Sequence, residues 1–313
     1  MLKNVVGLLG LVMLAGGCEP DSARDVDLSQ RTIRVVATTS MIAEMIREIG
    51  GDRVEVSGLM GPGVDPHLYK ASEGDVARMA QADVVFYNGL HLEGKMAEIF
   101  EQMGTLGVYT FEVAAAVPED SLLESDYFTG NYDPHIWFDA GLWRLAASSA
   151  ADYLTALDST SASAYRERAE AYAASVEDAH AYVRSRVSEL DPTQRYLVTS
   201  HDAFGYFGRA YGFEVKGLQG LSTATEAGTA DVQELADYVA ERRIPALFIE
   251  SSVSPRGIEA VQAAVRARGF EVRIGGTLYG DALGPVGTSA DTYVGMVRSN
   301  IDTIVNGLLG QAP

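Results

Sequence analysis

The chain holds a single cysteine, Cys18, so no disulfide can form within it and its stability must come from apolar cores. Positive charge is scarce as well: 24 Lys and Arg stand against 43 Asp and Glu, a net of −19. Nucleic-acid binding needs a basic footprint, which this balance excludes. An acidic surface instead gives cations a favourable long-range field. No Gly-x-Ser-x-Gly elbow, phosphate-cradling P-loop, dinucleotide fingerprint or His-Glu-x-x-His helix occurs. Nucleophilic, nucleotide-dependent and zincin-type chemistry therefore lack their usual frameworks. Histidine is sparse too, at five residues: 67, 91, 135, 180 and 201.

What is there begins with residues 1–17, which carry Lys3, an apolar run from Val5 to Leu14, and Ala15-Gly16-Gly17. A basic start, a short apolar centre and small residues at the cut site form an export signal. The run is too short to span a bilayer comfortably. Cys18, straight after the small residues, resembles a bacterial lipobox, with cleavage before Cys18 and diacylglycerol on its sulfur. Ala15 stands where leucine is commoner in that pattern. The polar residues 18–30 read as a tether. The expectation is an exported protein on the cell membrane or facing a periplasm, touching the bilayer only through its lipid.

From residue 31 the pattern is β then α, repeated. Thr32–Thr38 is a β-branched run and Thr39-Ser40 caps a helix through Met41, Ile42, Met45, Ile46 and Ile49. Strands are expected at 54–56, 83–87 and 108–111, with helices at 75–80 and 92–103 between them. Residues 161–190 have a Ser start and no internal Gly or Pro. Apolar positions at Tyr165, Ala169, Tyr172, Val176, Ala179, Val183 and Leu190 give one buried face. This predicts a rod joining two lobes; two shorter helices with a break between them are the alternative. After Asp191-Pro192 the βα alternation resumes, with strands at 196–199, 213–215, 246–249 and 270–274. The fold class expected is α/β: two parallel-sheet lobes, residues 31–160 and 191–313, joined by the helix 161–190.

Two segments share one design, Asp65-Pro66-His67-Leu68-Tyr69 and Asp133-Pro134-His135-Ile136-Trp137. Proline fixes its own φ and pushes the preceding residue out of the helical region. Each histidine therefore sits at a stiff corner, which suits a ring that must be held in one place. In open parallel sheets ligands gather outside the carboxyl ends of the strands. His67, His135 and His201 all fall on that side, and Asp281 lies in the last large Gly-rich loop. Three imidazoles and a carboxylate would close a four-coordinate shell around a borderline divalent cation. Asp65 and Asp133 could accept the second ring N–H of a ligating histidine, or simply cap their turns. Glu250, ending a strand, is a plausible neighbour or a capping carboxylate. His91 and His180 read as bystanders.

Val64–His67, Asp133–Trp137, Thr199–Phe207, Phe248–Ser254 and Tyr279–Asp281 together resemble the zinc/manganese substrate-binding lipoproteins of bacterial ABC importers. The resemblance runs from about residue 32 to the end. It implies two α/β lobes on one rigid helix, a metal between them, and delivery to a membrane permease powered by a separate ATPase. Carried over by position, it makes His67, His135, His201 and Asp281 the ligands. Many zinc-specific members carry a His-rich loop before the second ligand, but residues 112–134 contain no histidine. Many manganese-specific members have glutamate where this chain has His201. The donor set itself favours Zn²⁺ over Mn²⁺. The expected cargo is Zn²⁺ or Mn²⁺, carried by a monomer without turnover. The competing readings are a zinc-dependent hydrolase, whose site would keep an open coordination position, and a lipid-anchored adhesin.

Overall fold

The computed structural model describes residues 27–125 and 131–311. The export signal, Cys18 and tether residues 19–26 lie outside the described residues. Residues 28–30, expected to belong to a tether, are structured instead. Leu28–Gln30 form a 3₁₀ turn that buries Leu28, and Arg53 Nη2 donates to the Leu28 and Ser29 carbonyls at 3.2 and 2.9 Å.

In the first lobe β1 (Ile33–Ala37), α1 (Ser40–Gly50), β2 (Val54–Gly58), α2 (Glu73–Gln81), β3 (Val84–Tyr87), α3 (Ala97–Thr105) and β4 (Tyr109–Glu112) alternate as expected. The strands form one parallel sheet in the order β2-β1-β3-β4. Thr39 Oγ1 caps α1 by accepting from Ile42 N, and Ser72 and Asp75 cap α2 reciprocally. The helix expected from residue 92 starts only at Ala97. Before it, Glu93 (φ −92°, ψ 46°) leaves the helical region and Gly94–Met96 form a separate 3₁₀ turn.

α4 (Ala140–Leu157) leads to α5 (Ala162–Val187), a single helix of 26 residues and about 39 Å. Its buried face is Tyr165, Ala169, Tyr172, Val176, Ala179, Val183 and Val187. That face packs on α1 and α4 of the first lobe and on α9 (Tyr293–Leu309) of the second. One apolar core consequently runs through both lobes, with a smaller cluster under α2 and α3 and another in the second lobe.

The second lobe contains β5 (Tyr196–His201), α6 (Gly205–Tyr211), β6 (Glu214–Gln219), α7 (Thr229–Arg242), β7 (Ala246–Glu250), α8 (Arg256–Ala267), β8 (Arg273–Leu278) and α9. It is not one continuous ladder. β5 pairs with β6 and β7 with β8, all parallel, and β5 lies beside β7. The spatial order β6-β5-β7-β8 repeats the β2-β1-β3-β4 order of the first lobe. Two strands run further than expected, β6 through Gln219 and β8 through Leu278. Each contains glycine where no side chain fits. A Cβ at Gly217 would lie 2.3 Å from Asp202 N, and one at Gly275 2.6 Å from Phe248 Cε1.

Candidate metal centre

Each lobe sends two side chains into the seam. His67 follows β2, in the loop before α2, and its backbone N donates to Asp65 Oδ1 at 2.8 Å. His135 precedes a 3₁₀ turn leading to α4, and its N donates to Asp133 Oδ1 at 2.9 Å. His201 is the last residue of β5, not part of an exit loop as the sequence suggests. Asp281 follows β8. One atom from each of these four residues can be chosen so that all lie within 4.8 Å of one another.

The spacing is that of ligands around one atom. His135 Nε2 lies 3.3 Å from His67 Nε2 and 3.4 Å from His201 Nε2. Asp281 Oδ1 is 3.5 Å from His135 Nε2, and Oδ2 is 3.4 Å from His201 Nε2 and 3.9 Å from His67 Nε2. A tetrahedron with metal–nitrogen bonds of zinc length has edges of about 3.3–3.4 Å. Both Asp281 oxygens are buried without a hydrogen-bond partner. A buried carboxylate that makes no hydrogen bond is costly unless positive charge close by offsets it.

Two acids fix the rings. Asp133 Oδ1 lies 2.7 Å from His135 Nδ1. A carboxylate only accepts, so the proton sits on Nδ1 and the Nε2 lone pair faces the centre. Glu250, at the end of β7, accepts from His201 N at 2.9 Å. Its Oε2 is 2.9 Å from His201 Nδ1, an ion-pair contact whose angle falls short of a hydrogen bond. Asp65 does not repeat the role of Asp133. Its second oxygen turns to the other lobe and accepts from Thr223 Oγ1 at 2.6 Å.

Burial pushes the His67 imidazole down to about 3. Burial also opposes protonation of His201, but Glu250 and then Asp281 outweigh it and hold that ring well above its usual value. Burial opposes the Asp281 anion, yet the imidazoles, His201 foremost, keep its carboxyl well below the usual range. The pocket is therefore anionic at Asp281, neutral at His67 and protonated at His201, a set that a dication can enter by expelling one proton.

Gly280 escaped the sequence reading although it adjoins Asp281. A Cβ there would lie 2.2 Å from Glu250 Oε2, so a side chain at this position would push that carboxylate off its place beside His201. Trp137 Nε1 donates to the Gly280 carbonyl at 3.0 Å and ties the His135 corner to the Asp281 loop. His91 and His180 stay outside the centre; His180 Nδ1 meets Tyr211 OH at 2.7 Å.

Two parallel-stranded lobes closing on buried imidazoles and a carboxylate define a solute-binding protein whose solute is a metal ion. The family follows from comparison with known proteins. The family model described as "Zinc-uptake complex component A periplasmic" matches residues 35–307, and the chain belongs to that family. It is 46% identical over 303 residues to the zinc-binding protein TroA of Treponema pallidum, covering 96% of each chain. It is 44% identical over 306 residues to the manganese-binding lipoprotein MntA of Bacillus subtilis, covering 96% of this chain and 99% of the relative. The solved structure of the periplasmic zinc-binding protein TroA superposes with a TM-score of 0.86 at 47% identity, over 88% of this chain and 99% of the other. Membership makes the chain an extracytoplasmic solute-binding protein of a metal importer, not a hydrolase or an adhesin. Among the described residues no helix is long and apolar enough to cross a membrane.

Proposed function

We propose that this protein captures one divalent transition-metal ion outside the cytoplasm, with His67, His135, His201 and Asp281 as its ligands. It then hands the ion to a membrane permease driven by a separate ATPase. The lobes are residues 31–160 and 191–313, the helical rod between them lies within 161–190, and the protein works as a monomer tethered by lipid on Cys18. The observation that carries the reading is the Asp281 carboxylate: buried, without a hydrogen-bond partner, and faced by imidazole nitrogens at tetrahedral spacing. Three imidazoles and one carboxylate suit Zn²⁺ better than Mn²⁺, which binds most weakly in the first-row divalent order. The zinc-binding and manganese-binding relatives at similar identity are consistent with either ion as cargo. Elemental analysis of protein purified without chelator should find one ion per chain, and Zn²⁺ should displace Mn²⁺ in competition. Protein that stays free of both ions after supplementation would refute the proposal.

A further inference from the structure

The four metal-facing side chains are sealed from solvent: His135 and His201 are 0% exposed, Asp281 1% and His67 5%. An ion must reach them along the seam between the lobes, and the seam is not uniform. Toward α9 it is stitched by two buried bonds and one half-buried bond. Trp137 Nε1 reaches Gly280 O at 3.0 Å, Tyr293 OH reaches Trp137 O at 2.8 Å, and Leu283 N reaches Ser40 Oγ at 2.8 Å. Beside His67 the contact is thinner. Among the described residues, Thr223 Oγ1 to Asp65 Oδ2 is the only hydrogen bond between the 61–69 loop and the second lobe.

Behind that bond lies a cavity of about 350 Å³ that reaches the surface at the exposed residues Glu226 and Ser254. Its wall includes neighbours of the centre: Asp65 lies two residues before His67, Ser200 precedes His201, and Ser252 follows Glu250 by two residues, while the exposed Leu68 lies at the outer edge. Ser200 is 3% exposed, and its hydroxyl has no hydrogen-bond partner; neither has that of Ser252. Buried hydroxyls left unpaired are costly unless a polar guest meets them. A hydrated divalent cation is such a guest, since its waters can pair with the Ser200 and Ser252 hydroxyls and donate to the Asp65 and Glu226 carboxylates, although Arg256 and apolar side chains such as Leu218 and Ile258 make up much of the remaining wall.

We propose that this cavity is the passage by which a hydrated divalent cation reaches and leaves the buried centre, and that the Asp65–Thr223 bond is its latch. The inference rests on the metal-capture reading above. Asp65 couples latch to site directly, because its other oxygen holds the backbone of His67. Opening the latch frees the edge of the cleft while the bonds toward α9 keep the lobes in register.

The test is stopped-flow exchange of Zn²⁺ on the full chain. Loading is followed by intrinsic fluorescence, since Trp137 lies against His135 with ring centroids 5.2 Å apart. Release is followed into excess EDTA. Thr223→Val should speed release by about tenfold, the worth of one good hydrogen bond to a carboxylate, with one ion still bound per chain. Thr223→Ser should restore the original rate, which separates the latch from a folding defect. Val253→Trp, which plugs the cavity, should slow loading and release by the same factor and leave Kd unchanged. Glu101→Trp, beside a different cavity on α3, should change neither rate. If the unaltered chain binds no Zn²⁺, the capture reading itself falls. If it binds Zn²⁺ but Val253→Trp exchanges at the original rates, the passage is overturned and capture stands. If Thr223→Val alone is without effect, the latch is overturned.

Discussion

The two lobes solve the same problem differently. The first holds His67 and His135 on Asp-Pro-His corners, where backbone stiffness and an acid two residues upstream set the ring or its backbone. The second holds His201 on a strand end and Asp281 on a glycine-hinged loop. Its supporting acid, Glu250, comes from a neighbouring strand 49 residues away in sequence. The first lobe's sheet is one continuous ladder, whereas the second is two pairs with a register shift between Leu247 and Phe248. Local rigidity in one lobe is thus matched by long-range packing in the other. The second lobe also carries the charge imbalance, with a protonated His201 between two acids.

The largest test of this contrast removes the anion. Asp281→Ala should weaken Zn²⁺ binding by more than ~100-fold, beyond the range expected for outer supporting groups. Isothermal titration measures it, and a loss below tenfold would mean that Asp281 is not a ligand. Next come the two supporting acids. Asp133→Asn and Glu250→Gln should each cost about 10–100-fold in affinity. Glu250→Gln should cost less than Asp133→Asn, because Glu250 also stabilises the protonated, metal-free His201 and the variant removes that competition with the ion. Equal losses would erase the asymmetry between the lobes.

The smallest effect is on pH. His201 has a raised pKa, so below that value loading must expel its proton, and affinity should fall by about tenfold per pH unit as pH drops. His67 is held at about 3 and releases no proton anywhere near neutrality. Calorimetry in buffers of different ionisation enthalpy should detect release of the His201 proton on loading, and Glu250→Gln should reduce that release. Proton release that is unchanged in the variant would contradict the charge assignment.

The same asymmetry decided how far the sequence could be read. The corners at His67 and His135 were legible because proline restricts the chain locally, whatever surrounds it. The rod at α5 was legible because twenty-six residues keep one apolar face without a breaker. β6 and β8 were read short because Gly217, Gly275 and Gly276 look like turn residues. Their missing side chains are instead demanded by Asp202, Phe248 and Thr303 packed against them. Both roles left open for the two acids occur: Asp133 meets the ring of His135, whereas Asp65 caps its turn, and only the fold shows that its free oxygen finds Thr223 158 residues further on.

By itself, then, the sequence determined the βα order, the single long helix and the two stiff histidine corners, since each depends on periodicity or on restrictions within a few residues. Tertiary structure alone decided that His201 and Asp281 meet those corners at ligand spacing, that Glu250 supports His201, and that Asp65 bridges the cleft. Those contacts join residues far apart in the chain, and only the packing of β5 beside β7 and of α9 on α5 brings them within a few ångströms of each other.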